Sequence, residues 1–119
     1  MPRVILIVDD EPAIRDMLSR ILRYRGYEVE TADGTEAAIE VIGQGRISAA
    51  LVDFFMTGLS GMVAIRKIRA KDSNVRLIVL TGAQLEVAEI REIEALGARY
   101  HAKPFENQDL LQSLESMLV

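Results

Sequence analysis

Short apolar runs alternate along the chain with segments whose apolar residues recur at helical spacing, and this alternation constrains the fold more than any other feature. Arg3 to Val8 (RVILIV) is short, nearly continuous and rich in β-branched residues, the pattern of a strand covered on both faces in a parallel sheet. Asp9 or Asp10 can cap the helix that follows, and Pro12 fits its first turn. Ile14, Met17, Leu18, Ile21 and Leu22 keep helical intervals until Gly26 stops the helix. Tyr27–Ala32 alternates as a more exposed strand. Thr35–Ile42 reads as a short helix ended by Gly43 and Gly45, with Ala37, Ala38 and Val41 or Ile42 inward. Ser48–Asp53 is a third strand ending in an acid, and residues 54–61 form a loop with two glycines. A helix over Met62–Ala70, a strand over Val75–Leu80, a helix over Leu85–Leu96, a brief strand over Arg99–Ala102 and a last helix from Glu106 to Met117 complete the pattern. The fourth helix should turn Val87, Ile90, Ile93 and Leu96 inward, and the fifth Leu110, Leu111, Leu114 and Leu118.

Five strands alternating with five helices predict an α/β domain, a doubly wound parallel sheet with helices on both faces. A length of 119 residues fits one domain spanning residues 1–119. The chain has no cysteine, which excludes disulfides and thiolate metal sites, and a single histidine, His101, which excludes a histidine cluster. A net charge of −4 disfavours direct nucleic-acid binding. The longest apolar run, Val4–Val8, falls far short of the ~20 residues that cross a bilayer, so no membrane contact is expected. The start, Met-Pro-Arg and then that run, lacks the features of a signal peptide. A cytoplasmic location is the expectation. Any chemistry falls to carboxylates, hydroxyls, lysines and backbone.

Ligands of such sheets bind beyond the carboxyl ends of the strands, where the strand order reverses. The first strand ends in Asp9, Asp10 and Glu11, the third in Asp53, the fourth in Thr81, and the fifth runs into Lys103. Each has an ordinary reading: an Asp there is commonly a helix cap, Thr81 beside Gly82 a turn residue, Lys103 solvated surface. Together they make one chemistry. Close-packed acids repel unless a cation offsets them. Mg²⁺ suits oxygen ligands and needs few carboxylates besides a phosphate. Lysine and a hydroxyl can pin phosphoryl oxygens, and an aspartate can itself become the acyl-phosphate nucleophile. The residues point to Mg²⁺-assisted phosphoryl transfer.

With these motifs in order, the whole chain resembles a response regulator receiver domain of two-component signalling. The carrying features are Val8-Asp9-Asp10-Glu11, Asp53 with Met56 and Gly61 after it, Thr81-Gly82, and Lys103-Pro104-Phe105. The resemblance implies a flavodoxin-like sheet of order 2-1-3-4-5. It implies Asp53 as phospho-acceptor, with Mg²⁺ held by Asp9, Asp10, Asp53 and the backbone carbonyl of Phe55. It further implies that Thr81 and Lys103 bind phosphoryl oxygens, that the Lys103–Pro104 bond is cis, and that Tyr100 is the switch aromatic answering Thr81. The implied partners are a sensor histidine kinase or histidine phosphotransfer protein as donor, and an output domain or protein partner downstream. A homodimer through the fourth helix, fifth strand and fifth helix is a further expectation, resting on Ile90, Ile93 and Leu111. The role is a switch that assists only its own phosphorylation and dephosphorylation, not an enzyme acting on other molecules.

Three departures from the family pattern stand out. Phe55 lies two positions after the acceptor, where a polar or smaller residue is usual, and its ring is expected to hinder the water that hydrolyses the acyl phosphate; packing against the neighbouring loop or a partner is the alternative. Thr57-Gly58 replaces the common proline and should loosen this loop. Gly97–Tyr100 is one residue shorter than usual, and His101 is expected on the opposite face from Tyr100. Two other functions share the fold logic. A pseudo-receiver, serving only as an interaction module, would not need the acceptor, acid pair, Thr81 and Lys103. A Mg²⁺-dependent aspartyl-phosphate phosphatase would place a second Asp where Phe55 stands. No output segment follows the fifth helix in these 119 residues, so either a stand-alone regulator or an excised receiver is expected.

Overall fold

The computed structural model describes residues 3–56, 59–82 and 84–118. Five parallel strands form one sheet: β1 (Val4–Val8), β2 (Glu28–Ala32), β3 (Ala49–Asp53), β4 (Arg76–Thr81) and β5 (Ala98–Ala102), in the order β2-β1-β3-β4-β5. Five helices connect or follow them: α1 (Pro12–Tyr24), α2 (Thr35–Ile42), α3 (Gly61–Lys71), α4 (Val87–Ala95) and α5 (Asn107–Leu118). The predicted class and order 2-1-3-4-5 are those observed.

Alternation along the strands builds two cores. Ile5, Ile7, Leu51, Ile78 and Leu80 face α1 and α5, where Leu18, Leu22, Leu110, Leu111, Leu114 and Leu118 meet them. Val4, Leu6, Val8, Val52, Leu77 and Val79 face the other way, toward residues such as Ala38 and Ile42 of α2, Ile65 and Ile68 of α3, and Ile93 of α4. Every residue of β1 and β3 is buried, which is why these runs lack the polar alternation seen in edge strand β2. Glycine serves α1 and α4 at their ends: Gly26 and Gly97 have φ of 94° and 76°, the left-handed conformation that ends a helix most cheaply.

Some elements differ from the sequence expectation. Residues 54–61 were expected as plain loop, yet Phe55–Met56 pairs antiparallel with Leu59–Ser60 in a small ribbon. The expected looseness at Thr57-Gly58 lies outside the described residues. The fourth helix starts two residues later than its periodicity implied, so Val87 is 65% exposed and Leu85 takes the inward place. The reason is local. Glu86 caps α4 in a reciprocal capping box with Glu89, the Glu86 N–H donating to Glu89 Oε1 at 2.9 Å. Leu85, just before that cap, and Ile90 join the same core, which fixes the entry of the chain. The expected dimer contacts also change: Ile93 and Leu111 are core residues, 0% and 5% exposed, and offer nothing to a second copy, whereas Ile90 is half-buried. Among the described residues, no helix is long and apolar enough to cross a membrane.

Candidate functional site

Strand order reverses between β1 and β3, since β2 lies on one side of β1 and β3 on the other. The crevice at their carboxyl ends is therefore where the fold places a ligand. Asp9 leaves β1 with its N–H donating to Ala32 O at 3.1 Å, an extension of the β1–β2 ladder by one bond. Asp53 is the last residue of β3. These two register positions, with Asp10 beside the first, bring carboxylate oxygens of Asp9, Asp10 and Asp53 within 4.8 Å of one another. Asp9 and Asp53 are buried, 1% and 5% exposed, and Asp10 is half-buried.

Each acid is held differently. Neither Asp9 nor Asp10 caps α1 as expected: Glu11 is the N-cap and makes no side-chain cap bond, and Asp9, two residues earlier, reaches only the Glu11 N–H, which its Oδ1 accepts at 2.9 Å, ahead of the first helical residue Pro12. Asp9 Oδ2 is buried and has no hydrogen-bond partner. Burial raises the Asp9 pKa above the usual carboxylate value, and the charges of Asp53 and Asp10 raise it further, against the Glu11 N–H and Lys103. Asp53 Oδ1 accepts the Phe55 N–H at 3.2 Å and lies 3.5 Å from the Lys103 ammonium. Lys103 is delivered by the chain leaving β5: its N–H donates to Thr81 O at 2.6 Å, and the peptide bond to Pro104 is cis. Thr81 ends β4 and is buried, 1% exposed. Tyr100 pairs with Val79 in the ladder of edge strand β5, two residues before Thr81 on β4, and its side chain is 38% exposed. Glu11 is exposed and makes its contribution through the backbone.

The donor set fits a hard cation. Three carboxylates share one buried corner, every donor is oxygen, and one of those oxygens has no protein partner. Uncompensated, that arrangement costs stability; a divalent ion with a partly retained water shell would offset it. The structure thus assembles Asp9, Asp10, Asp53 and Lys103, with Thr81 at the end of the adjoining strand. Phe55, 53% exposed as a residue, gives its N–H to Asp53 while its ring packs edge-on against Phe54, centroids 5.0 Å apart.

Two residues brace this corner in ways that the sequence does not display, Arg15, which no motif marks, and Gly61, whose physical cause shows only in the fold. Arg15 Nη1 donates to Asp9 O at 2.8 Å. The signal available was a cation close to the start of a helix, where the macrodipole disfavours it and the first turn carries no acid. Gly61 is pressed against Phe54, the residue after Asp53: a Cβ there would lie 2.4 Å from Phe54 O and from its ring. Its place in the family pattern was noted, but its physical cause is a contact between residues seven apart that only the folded loop makes.

The response regulator receiver domain model matches residues 5–115. Response regulator MprA of Mycolicibacterium vanbaalenii is 32% identical over 118 residues, covering 99% of this chain and 51% of its own length. The probable transcriptional regulatory protein TcrX of Mycobacterium tuberculosis is 29% identical over 117 residues, with 98% and 50% covered. The chain therefore spans about half the length of these relatives. Among solved structures, a CheY-like receiver domain protein from Methanospirillum hungatei superposes with a TM-score of 0.91 at 29% identity, covering 99% of this chain and 94% of that one. TrrA of Thermotoga maritima, solved in complex with Mg²⁺ and BeF, superposes with a TM-score of 0.82 at 31% identity, covering 98% and 99%.

Proposed function

Because the chain belongs to the response regulator receiver domain family, whose members work with sensor histidine kinases and act on an output domain or partner, we propose that it is a phosphorylatable receiver, one domain over residues 1–119, with Asp53 as the acceptor. The observation that supports this most directly is the buried corner of Asp9, Asp10 and Asp53 with the Lys103 ammonium 3.5 Å from Asp53 Oδ1. That oxygen is already engaged by Lys103 and the Phe55 N–H, so the attack is assigned to Oδ2. Asp53 Oδ2 attacks the phosphorus of a donor phosphohistidine, in a kinase or phosphotransfer protein, or of a small acyl phosphate. A P–O bond forms as the donor's P–N or P–O bond breaks, and the bonding pair leaves with the imidazole or carboxylate. Asp9, Asp10, Asp53 and the Phe55 carbonyl would hold Mg²⁺, which when bound neutralises phosphoryl oxygen charge. Lys103 pairs with a second oxygen and the Thr81 hydroxyl donates to a third.

Phosphorylation adds about −1.5 to −2 charge at this corner. Thr81 is drawn toward it from the end of β4, and the space it leaves accepts Tyr100 from β5. The surface of α4, β5 and α5 then differs between the two states, and that difference is what a partner or a second copy reads. The domain is a signalling switch in the cytoplasm that acts on no substrate but its own phosphoryl group. A purely architectural pseudo-receiver would gain nothing from an unneutralised acid corner, and a phosphatase of the haloacid type would need an acid where Phe55 stands.

The test is phosphorylation by acetyl phosphate, and binding of beryllofluoride, each with Mg²⁺, in the wild type and in Asp53→Asn. Labelling and binding in the wild type, both lost in the variant and in excess chelator, are expected. A wild type that takes up neither, or a variant labelled equally well, refutes the proposal.

A further inference from the structure

Asp9 is held at nearly every polar atom it has. Its N–H donates to Ala32 O at 3.1 Å, its Oδ1 accepts the Glu11 N–H at 2.9 Å, and its main-chain O accepts Arg15 Nη1 at 2.8 Å. Only Oδ2 is left, buried and without a partner, in the corner shared with Asp10 and Asp53. Two of the three restraints are backbone groups that any sequence of this fold supplies. The third is a side chain. Arg15, the fourth residue of α1 and half-buried, folds back past its own helix start to reach the carbonyl at the end of β1. A helical side chain leans toward the N-terminus, so that reach needs no distortion.

We propose that Arg15 is a positioning residue for the divalent cation: by fixing the Asp9 carbonyl it sets the turn from β1 into α1 and aims Oδ2 at the ion. The inference rests on the receiver reading above and deepens it by naming the side chain that preorganises the metal site. Its logic is that of an outer partner which orients a metal ligand, where removal costs at least tenfold in affinity. It also carries a sign that separates it from the simpler role of charge balance. A guanidinium near the acids repels Mg²⁺, so removing its charge alone tightens metal binding. Removing the restraint weakens it. The two accounts of Arg15 predict opposite shifts from one substitution.

The experiment is calorimetric titration of Mg²⁺ into the wild type, Arg15→Met and Arg15→Lys at fixed ionic strength, with unfolding in chelator to show that each variant is folded. Arg15→Met, which keeps much of the apolar stem and loses the guanidinium donors, is expected to weaken Mg²⁺ binding by about tenfold, and Arg15→Lys, which restores a cationic donor, to recover part of it. Phosphorylation of Arg15→Met by acetyl phosphate should fall at limiting Mg²⁺ and return to the wild-type rate at saturating Mg²⁺, a recovery that a general loss of structure would not give. Equal or tighter binding by Arg15→Met, or a rate deficit that persists at saturation, overturns the role of Arg15 and leaves the receiver reading standing. A wild type that binds no Mg²⁺ overturns both.

Discussion

Gly61→Ala is the most informative single methyl that can be added to this protein. The new Cβ would lie 2.4 Å from both Phe54 O and Phe54 Cδ2, and ordinary contact begins at 3.4 Å, so one side must retreat by about 1.0 Å. Phe54 has little room to do so. Its N–H donates to Leu80 O at 2.8 Å across to β4, and its ring is 4% exposed in the core under α2, α3 and α4. The first turn of α3 is no freer, since Met62, Ala64 and Ile65 are buried in that same core. Overpacking of this kind costs roughly 1–3 kcal/mol. At about 4 °C per kcal/mol for a domain of this size, the melting midpoint should fall by roughly 4–12 °C. The functional cost is separate, because Asp53 is joined to Phe54: a displacement near 1 Å at a reacting group can lower a rate by about 10²-fold. The assay pairs thermal unfolding with the rate of Asp53 phosphorylation by acetyl phosphate at saturating Mg²⁺. Gly34→Ala, whose methyl would meet nothing within 4 Å, is the control: it should keep the phosphorylation rate and lose only the cap preference of α2, about 1 kcal/mol. A Gly61→Ala protein that melts with the wild type and phosphorylates at its rate would refute the claim that α3 is packed against the Asp53–Phe54 segment.

Asp9→Asn should raise the melting midpoint in chelator at neutral pH, because a carboxylate whose pKa is raised by burial and by Asp53 and Asp10 destabilises the fold once ionised, while Mg²⁺ should stabilise the wild type and not the variant; a less stable variant in chelator would contradict this. His101 is held below its ordinary pKa by burial first and by Arg99, with Asp109 opposing. The unfolded chain therefore binds more protons there, and stability present above pH ~6.5 should decline as pH falls through the folded-state value. His101→Gln should flatten that decline in a pH series of urea melts, and an unchanged slope would assign it to other groups. Phe55→Asn should shorten the lifetime of the acyl phosphate if the half-exposed ring beside Asp53 hinders the attacking water, and equal lifetimes would leave the ring a packing role.

What could be read from the sequence was what the chain decides locally, together with one global rule. RVILIV and ALVD are buried on both faces, and their monotony is visible without a structure. The rule that ligands sit beyond strand ends at the switch point then sends attention to Asp9, Asp10, Asp53, Thr81 and Lys103, because groups that are ordinary one by one make a single chemistry when the strands deliver them to the same edge. Where periodicity met a competing local device, it lost. The spacing of Val87, Ile90, Ile93 and Leu96 fits one helical face, but the Glu86–Glu89 capping box delays the helix and hands the inward place to Leu85. Periodicity also left Ile93 and Leu111 as candidates for both core and interface, since an apolar helical face looks the same whichever partner covers it; only burial decides. Arg15, and the reason for a glycine at position 61, lay beyond reach for a different reason. Arg15 acts on a main-chain oxygen, and Gly61 acts by the absence of an atom, so neither has a complementary side chain to be found in the sequence. The inner residues of this site are legible because their chemistry is in their side chains. The residues that hold them in place are legible only when the backbone they touch has been placed.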